Sequence, residues 1–164
     1  MKYIRPQKGG HGAPAFVFQL NRQEMDWLLA TLKLYPMLDS SYHKITDGSA
    51  EEIKAEQQLL EDAMRQQRSE YKRKLDKFLA TPGRFRLEAP DQYRFNVTAE
   101  QVEWLLQVLN DVRVGCWVKL GRPELEPARR RELTGQDARH MAALEASGFF
   151  QMVLLQVGKA PEAA

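Results

Sequence analysis

Apolar positions divide the chain into short alternating runs and longer stretches at helical spacing. Phe16-Val17-Phe18-Gln19-Leu20 alternates as a strand does, with Phe16, Phe18 and Leu20 on one face. Arg84–Glu88 and Tyr93–Val97 alternate in the same way, and Ala89-Pro90-Asp91-Gln92 between them sets proline where a type I turn places it. The expected hairpin turns Phe85, Leu87, Tyr93, Phe95 and Val97 inward and Arg84, Arg86 and Arg94 outward. Joined by the first strand, it makes a sheet of three strands.

Four segments carry the helical period. Asn21 with Glu24, Ser49 with Glu52 and Thr98 with Gln101 have the spacing of capping boxes, in which side chains and backbone N–H groups satisfy each other reciprocally. The first opens a helix with Met25, Leu28, Leu29 and Leu32, ended by Pro36. The second opens Ala50–Ala80, where Ile53, Leu60, Met64, Tyr71, Leu75 and Phe78 form a narrow stripe that Gln67 interrupts, and Pro82-Gly83 ends it. The third opens Ala99–Leu120, about 33 Å long at about 1.5 Å per residue. Val102, Leu105, Leu106, Leu109, Val112, Cys116 and Leu120 stripe it, while Trp104, Val108, Trp117 and Val118 widen the apolar surface. A helix apolar over so much of its circumference is central. A last helix runs from Gln136 or Asp137 to about Gln156. The class is therefore α+β, mainly α: about four helices with a small three-stranded sheet.

Sliding the chain along itself until Trp27 meets Trp104 also superposes Phe18 on Phe95, Leu28 on Leu105, Leu29 on Leu106 and Leu32 on Leu109. Phe16–Leu32 and Tyr93–Leu109 thus read as two strand–helix units related by an internal repeat. Residues 1–14, with Lys2, Arg5, Lys8 and three glycines, read as a flexible basic arm; 15–157 form one globular domain, and 158–164 a frayed tail.

Composition narrows the function only slightly. A net charge of +2 over 164 residues does not by itself imply nucleic acid, so local clusters must carry any such argument. Arg65, Arg68, Lys72 and Arg73 cluster on the long helix, and Arg84, Arg86, Arg94 and the Arg129-Arg130-Arg131 run add to them. Glu70 and Asp76 break the cluster, and no helix-turn-helix spacing accompanies it. The lone Cys116 excludes an internal disulfide and falls on the apolar stripe, where it reads as a small hydrophobe. His11, His43 and His140 lie in separate settings without metal-ligand spacing, so no metal is expected. Neither a phosphate-binding glycine loop after a strand nor a nucleophile elbow occurs, so no cofactor or catalytic residue is assigned. The start of the chain lacks the apolar core of a signal peptide and no run could span a bilayer, which reads as cytoplasmic.

One charged residue stands apart. Counted at about 100° per residue, Arg113 falls about 20° from Val102, in the middle of the apolar stripe. A buried or half-buried guanidinium needs a carboxylate. Asp111, two residues away, points to another side, so the expected partner is Asp26, Asp39 or Glu24, then Glu145. If the ion pair is structural, Arg113→Met alone should be costly to stability, and if it is ligand-binding the change should cost binding more.

Leu109-Asn110-Asp111-Val112-Arg113, followed by Leu120-Gly121, resembles an uncharacterised family of short bacterial proteins best known from actinobacteria. The early Phe-x-Leu strand, the long charged middle helix and the final apolar helix are similar too. The resemblance implies an accessory or regulatory protein without established activity, since members are often encoded beside the adaptor of the Clp protease and some are labelled transcriptional regulators. Three functions follow in order. The first is protein binding or self-association through Ala50–Ala80. The second is nucleic-acid binding by the basic surfaces, and the third an enzyme whose site forms only in three dimensions.

Overall fold

Four strands make one antiparallel sheet in the computed structural model, which describes residues 1–8, 14–38, 51–122 and 134–159. The strands are β1 (Lys2–Lys8), β2 (Pro14–Leu20), β3 (Arg86–Ala89) and β4 (Gln92–Thr98), in the order β1-β2-β4-β3. The helices are α1 (Arg22–Leu32), α2 (Glu51–Ala80), α3 (Ala99–Lys119) and α4 (Gly135–Leu154), and a 3-10 turn over Leu155–Lys159 follows α4. The mainly helical α+β class is as expected. The sheet is larger than expected by one strand.

The extra strand corrects the reading of a basic arm. Lys2–Lys8 pairs antiparallel with β2, Tyr3 opposite Phe18, with an irregularity between Tyr3 and Arg5. Charges and Pro6 disguise it in the sequence, yet both suit an edge strand, where one side of the backbone has no neighbour to satisfy. The Tyr3 ring lies 5.5 Å from Phe18 and 6.3 Å from Phe16, so aromatic contact holds β1 to β2. At the other end, Gly158 and Lys159 belong to the 3-10 turn and not to a frayed tail.

Phe18 and Phe95 face each other across β2 and β4 with rings 5.4 Å apart, and Phe85 adds a third ring 5.3 Å from Phe95. In the hairpin, Leu87 is 64% exposed, contrary to its expected inward position. The alternation is broken by the bulge between Leu87 and Ala89. The turn also differs from type I, because Asp91 takes a left-handed φ of 58° that aspartate tolerates. Its Oδ1 accepts a hydrogen bond from the Arg22 N–H at 2.9 Å, so the hairpin tip caps the start of α1.

Helix α3 lies at the centre, packed most extensively along α4 and touching α1, α2, β2 and β4. Its capping box is formed, as is that of α1. Trp27 and Trp104 both sit on helices that directly follow strands, and Phe18 pairs with Phe95 in register. Their environments differ: Trp104 is 5% exposed and Trp27 52%.

Gly115 on α3 is required by a close approach. A Cβ there would fall 2.4 Å from the Met37 Cβ, an overlap that neither group can absorb in place. Gly115→Ala is therefore expected to lose about 1–3 kcal/mol through overpacking, read as a lower urea midpoint with unchanged slope. An unchanged midpoint would show that the segment after α1 moves freely.

Candidate functional site

The long helix α2 spans 30 residues, yet its buried residues are Leu75 and Phe78, both near its C-terminal end. Ile53, Leu60, Met64 and Tyr71 are half-buried along one stripe. Gln67, expected to interrupt that stripe, is exposed; Arg68 takes the place instead, four residues after Met64 and three before Tyr71. Its side chain is only 13% exposed and its Nε lies 3.7 Å from Asp111 Oδ2 on α3, itself 11% exposed.

Asp111 does more than meet Arg68. Its Oδ1 accepts hydrogen bonds from the backbone N–H groups of Met37 at 2.7 Å and Leu38 at 3.3 Å. Tyr35 Oη donates to the Arg68 carbonyl at 3.5 Å. One carboxylate thus joins α2, α3 and the segment that leaves α1. Burial, then the Asp111 charge, push the Tyr35 hydroxyl up from 10.0 to about 12.

This arrangement reverses the expectation for Arg113, which is exposed. Measured around the axis from Val102, the buried residues of α3 fill the arc from about 180° to about 360°. Asp111, at about 180°, lies at one margin of that arc, and Arg113, at about 20°, lies just beyond the other. Trp104, Val108 and Gly115 shift the centre of the buried face away from the leucine stripe. Glu24 is engaged by the Met1 ammonium and by its own capping box, and Asp39 falls outside the described residues. Arg113→Met should therefore change stability by less than about 0.5 kcal/mol, as surface changes do. A denaturant melt showing several kcal/mol of loss would restore the original reading.

Pro36, Leu38, Arg65, Arg68, Ser69, Lys72 and Arg73 line an open groove of about 490 Å³ beside α2. Four of the predicted basic residues meet there, and among the described residues no carboxylate lines it. Arg65 pairs with Asp62 at 2.9 Å and Lys72 with Asp76 at 2.7 Å, both on the helix surface. Arg73 has no ion pair among the described residues.

Arg84, Arg86 and Arg94 line a separate cleft of about 290 Å³ with Gly83, Glu88 and Asn96. Two of them serve the fold. Arg84 donates to the carbonyls of Phe78 and Asn96 and lies 4.1 Å from the Phe78 ring centre, while Arg94 pairs with Glu88 at 2.8 Å. The Arg129-Arg130-Arg131 run, His11 and His43 lie outside the described residues.

Cys116 is fully buried, its Sγ 3.5 Å from Met37 Sδ, and burial pushes its thiol up from 9.0 to about 11. Both Cys116 and Tyr35 keep their protons in the fold at pH values where the unfolded chain loses them. Stability is therefore full below about pH 9 and falls as the pH rises through 11 to 12. Denaturant midpoints should be flat from neutrality to pH 9 and then drop. A midpoint rising above pH 9 would contradict both shifts.

Among the described residues no group of three His, Cys, Asp or Glu side chains is placed to hold a metal, and no helix is long and apolar enough to cross a membrane. Comparison with family models, curated proteins and solved structures finds no match.

Proposed function

We propose that the protein is a non-catalytic, cytoplasmic accessory or regulatory protein that binds another polypeptide through α2. The observation that carries this reading is the way α2 is anchored. A 30-residue helix whose only fully buried residues are Leu75 and Phe78, with Tyr71, Leu79 and Arg68 adding contacts in the same C-terminal half, presents much of its length as surface, including Leu59 at 71% exposure. Helices with such faces are read by grooves or by other helices. The link to regulated proteolysis, implied by the sequence resemblance, belongs to the same proposal.

A photo-cross-linking residue at Leu59, introduced into the intact chain in growing cells, should give an adduct of discrete mass containing a second polypeptide. The same probe at Leu87, exposed on the hairpin, should give none. No adduct at Leu59, or equal adducts at both positions, would end this reading.

The groove beside α2 favours a second reading, nucleic-acid binding. Four cations converge there with no lining carboxylate among the described residues, and a phosphate backbone would release counterions on binding them. Retention on heparin or DNA should then fall steeply with salt and vanish when Arg65, Lys72 and Arg73 all become glutamine. Arg68 is left in place because it pairs with Asp111. Absence of retention at low salt would dispose of the nucleic-acid reading.

A further inference from the structure

Charge is divided along α2. From Glu51 to Met64 there are five acidic residues (Glu51, Glu52, Glu56, Glu61, Asp62) against Lys54, a net −4. From Arg65 to Ala80 there are six basic residues (Arg65, Arg68, Lys72, Arg73, Lys74, Lys77) against Glu70 and Asp76, a net +4. The helix dipole favours acids at the start and bases at the end, but its influence is confined to the first and last turns. It does not account for Glu61, Asp62, Arg65 and Arg68 in the middle.

Pairing among the described residues compensates the basic half only in part, through Arg68–Asp111 and Lys74–Glu100 to α3, and does not compensate the acidic half beyond Asp62. Of the ion pairs among the described residues, Arg65–Asp62 alone crosses the boundary; Lys72–Asp76 and Lys74–Glu70 lie within the basic half. Glu51, Glu52 and Glu56 at one end, and Arg73 and Lys77 at the other, form no ion pair among the described residues. Glu52 and Arg73 are about 31 Å apart along the axis, several screening lengths at physiological salt. At about 100° per residue, Glu52, Ala55, Ala63, Arg73 and Lys77 fall within about 40° of Leu59. Glu70 shares that face and is engaged by Lys74 of its own chain. The face points away from the side holding Leu75 and Phe78.

We propose that this face joins two copies of the chain, their α2 helices antiparallel about a two-fold axis near Asp62 and Ala63. The proposal rests on the reading of α2 as the contact surface and names the partner. A two-fold contact sets the same patch of each copy against the other. An antiparallel arrangement puts each acidic half beside the other copy's basic half, with Glu52 of one copy next to Arg73 of the second. A parallel arrangement would oppose like charges. The apolar content of the face is small, Leu59 and two alanines, so charge governs the association and salt weakens it.

The test is sedimentation velocity on the full chain. The wild type should be a dimer at low ionic strength, with a Kd at least about tenfold higher in high salt. Glu51→Lys, Glu52→Lys and Glu56→Lys together make both halves basic; Arg65→Glu, Arg73→Glu and Lys77→Glu together make both acidic. All six positions are solvent-exposed. Each variant alone should be monomeric, and an equimolar mixture should recover a dimer at low salt. If circular dichroism shows either variant unfolded, glutamine at the same positions should still weaken the wild-type dimer by about tenfold. A monomeric wild type at low salt, variants that dimerise alone, or a folded mixture that stays monomeric would each overturn the proposal. The Leu59 adduct separates this from the broader reading: twice the chain's mass supports self-association, and another mass with a monomeric wild type leaves only the broader reading standing.

Discussion

Asp111→Ala is expected to cost about 3–5 kcal/mol, the range for breaking a buried ion pair from one side. The substitution removes the carboxylate that faces Arg68 and also the acceptor for the Met37 and Leu38 amides. Desolvated donors left without this acceptor account for much of the loss. Asp111→Asn keeps an acceptor oxygen for the two amides while removing the charge, so it should cost less, about 1–3 kcal/mol. Pairing Asp111→Asn with Arg68→Met should cost less than the two single changes added together, with a coupling of about 0.5–3 kcal/mol. Urea titrations of the four proteins measure all of this. A loss below about 1 kcal/mol for Asp111→Ala would show that the carboxylate is a bystander.

Trp104→Ala should be comparably severe, about 3–5 kcal/mol for a large buried aromatic. Trp104 lies on α3 with its ring edge-on to Phe78, centres 5.6 Å apart and planes at 85°. Phe78 is one of the two buried residues of α2, so truncation removes the surface on which that helix is seated. Trp27→Ala is the control. Its side chain is half exposed, so its loss should stay below about 1 kcal/mol despite the shared sequence context. Equal losses at the two sites, measured by denaturant melts, would mean that burial does not distinguish them.

The regular parts of the fold were legible because local chemistry specifies them. Asn21 with Glu24 and Thr98 with Gln101 close their capping boxes as written in the sequence, and the spread of apolar residues on Ala99–Leu120 marks the central helix. Lys2–Lys8 was not legible as a strand, since an edge strand needs only one satisfied side and tolerates both charge and proline. The candidate site was half legible. Clustering identified Arg65, Arg68, Lys72 and Arg73, and the groove brings them together. The division between exposed Arg65 and covered Arg68 depends on Asp111, on a different helix, and on the segment after α1. A signal did exist in the sequence: Arg68 fills a gap in the spacing between Met64 and Tyr71. The expectation for Arg113 centres the buried face of α3 on the leucines, whereas Trp104, Val108 and Gly115 extend that face toward Asp111 and move its middle close to Val112.

The strand order has a consequence during synthesis. β2 is flanked by β1 on one side and β4 on the other, yet β2 ends at Leu20 and β4 begins only at Gln92. At roughly 5–20 residues per second, a ribosome takes about 4–14 s to produce the roughly 70 residues between them. Until then β2 lacks its β4 neighbour, so its hydrogen-bonding edge and the ring of Phe18 stay uncovered until Phe95 emerges. Two neighbouring nascent chains on one messenger could pair through those edges in the interval, so codon choice between Asn21 and Asp91 should influence yield more than codon choice after Thr98.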